Sequence, residues 1–280
     1  MCVSREVGAP PSAGDDSLRL VVDEVLESRR YRWLARDFVT RIASDAVKRT
    51  RRPSDAVKET KRRLHQAFGA YVDTLRADRV ITSLQRAAAQ GDAALRRTAQ
   101  ELMAEHASTR ERLPVLDAFF ADVFAVTGRP TTVLDLACGL GTLALPWLDL
   151  PPGGVYHACD VDQRFVHIAH AALAAFGVEG SATLCDVAAQ APETRADVAL
   201  LLKAVPCLEQ QAPGSAARLL DAVQARWLVV SFPTRSLGGA AKGMVSHYRE
   251  VMAALLSARG WQAQELLFPR ELAFVVEAGR

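Results

Sequence analysis

Beyond residue 130, short apolar runs alternate with segments of helical periodicity, and this alternation limits the possible folds more than any other feature of the sequence. The apolar runs cover residues 131–136, 155–159, 182–185, 197–202 and 227–232. Strands that are apolar throughout are typical of sheets covered on both faces, and helical crossovers between successive strands keep those strands parallel. We therefore predict an α/β fold built on a Rossmann-like sheet.

The last two apolar runs, 261–268 and 271–276, are separated only by Pro269 and Arg270. A connection of two residues cannot hold a crossover helix, so these runs are predicted to form an antiparallel hairpin. A parallel sheet with one antiparallel terminal strand is typical of class I S-adenosylmethionine-dependent methyltransferases. The end of the chain therefore favours that class of sheet.

The region before residue 131 has no strand alternation and repeats apolar residues at helical spacing. Residues 29–63 contain 13 basic and 4 acidic side chains, a net charge of +9. Such a charge favours a polyanionic partner, although a solvated helix face also explains a generic charged run. We predict a basic, all-helical RNA-binding domain over residues 1–105 and a methyltransferase domain over residues 106–280. The cations predicted to contact RNA phosphates are Arg29, Arg30, Lys58, Lys61, Arg62 and Arg63.

The composition excludes several classes of protein. Half of the residues are hydrophobic and 24% are charged, as in a globular protein rather than a disordered one. No run approaches the ~20 apolar residues that cross a bilayer, and the amino terminus lacks a basic-then-apolar signal segment, so we expect a cytoplasmic protein without membrane contact. The five cysteines stand singly, without the spacing of a zinc site, and we expect no bound metal.

The strongest chemical motif is the segment 133–141, VLDLACGLG, in which an apolar strand runs into a glycine-containing turn. Glycine lets the backbone approach a ligand closely. Gly139 and Gly141 also fit the dinucleotide fingerprint G-x-G-x-x-G/A, so an NAD-dependent oxidoreductase is one alternative. Asp135 disfavours it, because a carboxylate at the end of the first strand would repel a pyrophosphate but not a sulfonium with an amino group.

Two further aspartates follow the next two apolar runs. Asp160 ends the second run, where a carboxylate accepts both hydroxyls of an adenosine ribose. Asp186 ends the third run, near the expected position of an adenine amino group. Loops after strands favour aspartate in any case, but three aspartates at one edge of a sheet favour a cofactor site.

After the fourth run stands the segment Lys203-Ala-Val-Pro206. Enzymes that methylate the exocyclic amine of adenine usually carry an N/D-P-P-Y/F/W motif at this point, and this chain does not. The target is therefore predicted to be a nucleophile with a ready lone pair. Lys203 is either a pocket residue or a structural lysine at a strand end, and the sequence alone leaves both roles open.

Residues 106–114 read HASTRERLP, and this block resembles the signature of the aminoglycoside-resistance 16S rRNA (guanine-1405 N7) methyltransferases. The resemblance extends to residues 28–31, 55–58, 135–140, 200–203, 206–209 and 232–238, so it covers nearly the whole chain. One departure is Gly141-Thr142, where some members of that family have Asn-Pro. Glycine is the commoner form among methyltransferases, so cofactor binding is still expected.

The resemblance implies a set of residues that bind S-adenosylmethionine. Arg110 would pair with the methionine carboxylate, Asp160 would hold the ribose, and Asp186 would hold the adenine. The rest of the implied cofactor pocket consists of His106, Asp135, Ala137, Gly139, Val187, Lys203 and Gln211.

The resemblance also implies a substrate, which is guanine N7 in the decoding site of 16S rRNA within the 30S subunit; we expect a monomeric enzyme. Guanine N7 carries an in-plane lone pair, so we expect no general base, and catalysis should rest on positioning and electrostatics. Phe232 and Arg235, just past the fifth run, are expected to touch the guanine, unless Phe232 is ordinary core. The alternatives are a methyltransferase of adenine N1 in the same rRNA region and a non-catalytic RNA-binding protein with this fold.

Overall fold

The computed structural model describes residues 13–72, 75–235 and 243–279. It divides into two compact units, Met1–Gly69 and Ala70–Arg280. Among the described residues, no helix is both long and apolar enough to span a bilayer.

The first unit contains, in its described part, helices α1 (Ala13–Glu27), α2 (Arg36–Arg49) and most of α3 (Pro53–Val72). Helix α3 buries Ala56, Val57, Thr60 and Leu64 at helical spacing, which leaves a polar face exposed. Tyr31 ties the loop after α1 to α3, because its hydroxyl donates to the carbonyl of Lys61 at 3.1 Å. The helical character predicted for this region is confirmed.

The second unit alternates helices and strands. Its described helices are α4 (Ala77–Ala88), α5 (Asp92–Ala104), α6 (Ala107–Arg112), α7 (Leu116–Thr127), α8 (Leu145–Leu148), α9 (Gln163–Phe176), α10 (Val205–Gln211), α11 (Ser215–Ala222) and α12 (Met244–Ser257). Its described strands are β1 (Thr132–Leu136), β2 (Val155–Asp160), β3 (Glu179–Leu184), β4 (Arg195–Leu202), β5 (Gln224–Pro233), β6 (Ala263–Phe268) and β7 (Glu271–Glu277).

The boundary between the units differs from the sequence-based boundary at residue 105. Helices α4 and α5 belong to the second unit because Leu84 and Leu95 share one hydrophobic core with Val133 of strand β1. Helical periodicity reveals that α4 and α5 have an apolar face, but it does not reveal which unit covers that face.

The strands of the second unit form one sheet with the order β3-β2-β1-β4-β5-β7-β6. Strands β1 to β5 pair in parallel, and β7 is antiparallel to both of its neighbours. The prediction of a Rossmann-like sheet that is parallel except for one antiparallel terminal strand is confirmed. Strand β3 begins three residues earlier than predicted, because it lies at the sheet edge and exposes most of its side chains.

Consecutive residues of the strands point into two different hydrophobic cores. Val133 and Val229 join the core that includes α7 and α9, whereas Leu134 and Val230 join the core that includes α11. Both faces of the sheet are therefore covered, as the continuous apolar runs indicated. The loops that follow the parallel strands therefore lie together at the carboxyl edge of the sheet.

Candidate functional site

The loop after β1 and the aspartate at the end of β2 are joined by direct hydrogen bonds. The amide of Gly139 donates to Oδ2 of Asp160 at 2.9 Å, and the amide of Asp162 donates to Oδ1 at 3.0 Å. Gly139 has φ +51° and Ala137 has φ +54°, so the loop turns through the left-handed region twice. The loop is therefore held against Asp160 by the backbone itself.

Asp160 is 7% exposed, and burial raises the pKa of its carboxyl to about 7. A carboxylate has about four lone-pair positions on two oxygens, and the two backbone amides use one on each oxygen. The carboxylate can therefore accept two further hydrogen bonds. Two such bonds are needed to bind the two hydroxyls of a ribose.

Asp135 faces into the protein beneath the same loop. Its Oδ2 accepts a hydrogen bond from the hydroxyl of Tyr156 at 2.6 Å, and burial raises the pKa of its carboxyl to about 6. A Cβ at Gly141 would lie 2.5 Å from the same oxygen, so the loop passes directly over the carboxylate. Contact between Asp135 and a cofactor stays a prediction, whereas the close approach of the loop to its carboxylate is seen directly.

Asp186 lies beside Asp160 because the amide of Cys185 donates to the carbonyl of Asp160 at 2.9 Å. The carboxylate of Asp186 accepts from the amide of Ala188 at 3.2 Å, which fixes the turn that follows β3. Val187, the next residue, is buried. The structure thus brings together the two aspartates that the sequence assigned to ribose and adenine.

Helix α6, which carries most of the HASTRERLP block, is held by contacts with α9, with Lys203 after β4 and with Glu271 of β7. At its start the ring of His106 meets the ring of Phe165 in α9 edge to face, with centroids 5.8 Å apart, and α9 follows β2. Burial, and next the charge of Arg110, lower the pKa of His106 to about 4, so this imidazole is neutral at pH 7. Arg110 is exposed, and its Nη1 donates to the carbonyl of Ala104 at 3.5 Å.

Lys203, which follows β4, holds the other side of α6. Its Nζ donates to the carbonyl of Ser108 at 3.3 Å and to Oε2 of Glu111 at 2.8 Å. The backbone of Lys203 has φ +60°, which turns the chain at the strand end. These contacts support the structural role that the sequence left open, and a cofactor contact stays a prediction. Gln211, the last residue of α10, is half-buried, and its predicted contact with the cofactor likewise stays a prediction.

The sequence did not single out the buried pair Arg112 and Glu271. Arg112 donates to both carboxylate oxygens, from Nε at 2.9 Å and from Nη2 at 2.5 Å. Ser231 donates its hydroxyl to Glu271 at 2.6 Å. Burial alone would raise the pKa of Glu271, but Arg112 and Lys203 hold it below its ordinary value. The HASTRERLP block contained the signal for Arg112, but no pattern in one sequence pairs it with a residue 159 positions away.

Phe232 and Arg235 were expected to touch the target guanine, but the structure shows that they differ in exposure to solvent. Phe232 is fully buried, and its ring stacks on Tyr248 with centroids 4.6 Å apart. The ordinary core role is therefore the better assignment for Phe232, since no face of its ring reaches solvent. Arg235 is exposed just after β5, and its contact with RNA stays a prediction.

The predicted RNA-binding cations of helix α3 fall into two groups. Arg62 donates twice to Glu59, with both distances 2.7 Å, and Arg63 donates to Glu59 at 3.0 Å. These hydrogen bonds lower the pKa of Glu59 to about 2, and the largest contribution comes from Arg62. Lys58 and Lys61, by contrast, form no ion pair with any side chain in the described ranges.

The remaining predicted RNA contacts lie in the loop after α1. Arg29 is exposed and Arg30 is half-buried. The Tyr31 hydrogen bond to Lys61 holds this loop next to α3. The predicted contact residues are therefore neighbours within the first unit, and the arginines that pair with Glu59 are less available to a phosphate than the lysines.

Comparisons with known proteins agree with this geometry. The family model described as Ribosomal RNA methyltransferase (FmrO) matches residues 27–275. A 16S rRNA (guanine(1405)-N(7))-methyltransferase from Micromonospora rosea is 39% identical over 279 residues, which cover 95% of this chain and 98% of that protein. The corresponding enzyme from Micromonospora echinospora is 37% identical over 280 residues, with coverage of 95% and 98%.

Solved structures give the same result. The crystal structure of the 16S rRNA methyltransferase RmtF in complex with S-adenosyl-L-homocysteine is 32% identical in sequence, with a TM-score of 0.81 and coverage of 94% of this chain and 98% of that chain. The resemblance first seen in the HASTRERLP block is thereby confirmed, and the chain belongs to the ribosomal RNA methyltransferase (FmrO) family.

Proposed function

We propose that this protein transfers a methyl group from S-adenosylmethionine to N7 of guanine 1405 in 16S rRNA. The observation that carries the proposal is the arrangement at the carboxyl edge of the sheet, where Asp160 holds the loop after β1, Asp186 lies beside Asp160, and Lys203 at the end of β4 anchors helix α6. Relatives named for this reaction are 37–39% identical over nearly the whole chain, and RmtF was crystallised with the demethylated cofactor. The NAD alternative is disfavoured by the family and by the buried Asp135.

The donor set of this edge fits S-adenosylmethionine. Asp160 accepts the ribose hydroxyls with the lone pairs that its two amide contacts leave, and Asp186 accepts the adenine amino group. Arg110 offers an exposed guanidinium to the methionine carboxylate. The proposed lining is completed by His106, Asp135, Ala137, Gly139, Val187, Lys203 and Gln211.

The reaction needs no proton transfer. The bound cofactor supplies a methyl group on a positively charged sulfur. The N7–CH₃ bond forms as the CH₃–S bond breaks, so the sulfonium becomes a thioether and the positive charge passes to the guanine. The protein's own contribution is to hold the ribose and the carboxylate so that the methyl group points at N7, and no side chain need act as a base.

The substrate is proposed to be the assembled 30S subunit, bound by one copy of the protein, which implies action in the cytoplasm. In A-form RNA the major groove that displays N7 is deep and narrow, so the helix must be distorted or the base extruded. Lys58, which is exposed, the half-buried Lys61 and Arg29 supply phosphate contacts. Arg235, exposed after β5, is the side chain proposed to reach RNA near the target.

Methylation of N7 removes a hydrogen-bond acceptor and adds a positive charge to the base. An aminoglycoside is a polycation, so it would lose one contact and meet repulsion at that position. Resistance to aminoglycosides that contact guanine 1405 is the expected outcome for a cell that contains the enzyme.

The test is to map the modified nucleotide. Isolated 30S subunits are incubated with the protein and S-adenosylmethionine, and the rRNA is then cleaved with borohydride and aniline, which cut at N7-methylguanine. Cleavage at guanine 1405, absent when the cofactor is omitted, supports the proposal. A block at an adenine in primer extension without aniline cleavage would identify the adenine N1 alternative instead, and no modification of any nucleotide would favour a non-catalytic RNA-binding protein.

A further inference from the structure

We propose that Glu271 is a positioning residue for the cofactor site, because it fixes helix α6 through Arg112 and Lys203 and thereby sets where Arg110 meets the amino-acid part of the cofactor. The inference rests on the proposed S-adenosylmethionine site. It assigns a role to a residue that lies on β7 and is absent from the predicted pocket.

Helix α6 spans only six residues, Ala107–Arg112, so it cannot be stable through its own hydrogen bonds. Its position depends on three anchoring points along one side. Lys203 binds the carbonyl of Ser108 and the carboxylate of Glu111, and Arg112 forms two hydrogen bonds with Glu271. Arg110 lies between these anchoring points in the sequence, and its own side chain is exposed.

Glu271 is the fixed end of this network. It is the first residue of β7 and pairs in register with Pro233 of β5, so its backbone belongs to the sheet. Ser231 of β5 donates to the carboxylate at 2.6 Å, and Nζ of Lys203 lies 3.5 Å from Oε2. The carboxylate therefore connects β5, β7, the end of β4 and helix α6 at one point.

The charges make Glu271 indispensable to the arrangement. The side chains of Arg112, Lys203 and Glu271 are 3%, 6% and 1% exposed, and that of Glu111 is 15% exposed. Two buried cations are balanced by two carboxylates. Removing the charge of Glu271 leaves Arg112 without its ion-pair partner in a buried site, which is strongly unfavourable, so the end of α6 is expected to shift toward solvent.

The shift should affect one part of the cofactor more than the other. Arg110 is two residues from Arg112, and a displacement of about 1 Å is enough to weaken a paired contact. Asp160 is held by Gly139 and Asp162, which form no hydrogen bond or ion pair with the Glu271 network among the described residues. Loss of Glu271 should therefore weaken the contacts with the amino-acid part of the cofactor, while the contacts with the adenosine part stay unchanged.

The experiment compares two ligands by calorimetry, S-adenosylhomocysteine and 5′-methylthioadenosine, of which only the first has the amino-acid carboxylate. Glu271→Gln should lower the affinity for S-adenosylhomocysteine about ten- to hundredfold, as expected for a lost charged contact. The affinity for 5′-methylthioadenosine should change less than about threefold. Arg110→Ala should show the same selectivity. Glu265→Gln is the matched control, since Glu265 forms an ion pair with Arg249 at the exposed surface of the adjacent strand β6, and it should change neither affinity.

A second variant tests the proposal even if Glu271→Gln does not fold. Glu111→Gln removes the partly exposed carboxylate at the other end of the network and should give the same selectivity with a smaller effect. Equal loss of both ligands in these variants, or no loss of either, would overturn the positioning role while leaving the proposed function intact. Failure of the wild-type protein to bind S-adenosylhomocysteine would overturn the proposed function itself, and the inference with it.

Discussion

Replacement of Tyr156 with phenylalanine should destabilise the protein in a manner that depends on pH. The phenol hydroxyl donates to Oδ2 of Asp135 at 2.6 Å, and both side chains are at most 2% exposed. Burial and the neighbouring carboxylate raise the pKa of Tyr156, so the phenol stays protonated and remains the donor. Tyr156→Phe therefore leaves a buried carboxylate without this donor and changes little else in shape.

The magnitude follows from the protonation state of Asp135. Burial raises its pKa to about 6 from an ordinary value of 3.8, so the native state binds more protons than the unfolded state between those values and stability falls as pH rises through that window. Without the Tyr156 hydroxyl the pKa should rise further, so the fall continues to higher pH in the variant. At pH 5 the variant loses a bond between neutral groups, ~1 kcal/mol, and at pH 8 it loses a bond to a charged acceptor, ~1.5–3 kcal/mol.

Urea unfolding at pH 5 and pH 8 measures the difference, and Tyr31→Phe is the matched control. Tyr31 is also buried, but its hydroxyl donates to a neutral carbonyl, that of Lys61, so its loss should cost ~1 kcal/mol at both pH values. Each variant is judged by the unfolding transition that it shifts. A cost for Tyr156→Phe that is the same at pH 5 and pH 8 would refute the reasoning, because the carboxylate would then be uncharged or already satisfied by other donors.

Four further variants test the proposed sites. Asp160→Ala should weaken S-adenosylmethionine binding by ~1.5–3 kcal/mol, about ten- to hundredfold, and unchanged affinity in calorimetry would remove the residue from the site. Arg110→Ala should keep the fold, since the side chain is exposed, yet cells should lose aminoglycoside protection in growth assays. Lys58 and Lys61 replaced together with alanine should lower the salt slope of 30S binding by up to roughly 2, at ~0.9 per phosphate contact. Arg62→Ala should lower it less, because a carboxylate already holds its guanidinium.

The fold could be predicted largely from the sequence because its strongest signals are local. Continuous apolar runs indicated buried parallel strands, and the two-residue connection at Pro269 and Arg270 indicated the antiparallel hairpin of β6 and β7. Strand β3 was predicted too short because an edge strand needs few apolar residues. The compact units divide after Gly69, whereas the sequence placed the end of the RNA-binding domain at residue 105. Periodicity shows that a helix has an apolar face, but it does not show which part of the protein covers that face.

The candidate site could be predicted where chemistry follows from chain position. Asp160 and Asp186 follow neighbouring parallel strands, and the carboxyl ends of such strands meet at one edge, which is where the structure has them. Phe232 has the same kind of position but faces the core, because side chains alternate along a strand and the sequence alone does not say which face is open. Glu271 was missed because its importance comes from a partner that is distant in the chain.

The HASTRERLP block shows why a signature can be specific without every residue in it touching a ligand. Thr109 donates its hydroxyl to the carbonyl of Met103 at 2.7 Å, and Arg112 is buried against Glu271, so these residues hold the helix in place. Arg110 points away from that buried side and is exposed.

Substitution of Arg112 and substitution of Arg110 should therefore have different effects. Arg112→Ala leaves Glu271 buried without its main counter-ion, which costs ~3–5 kcal/mol, and should lower the stability of the whole unit. Arg110→Ala should lower only the affinity for the cofactor, so equal losses of stability in the two variants would contradict this division of roles within one short helix.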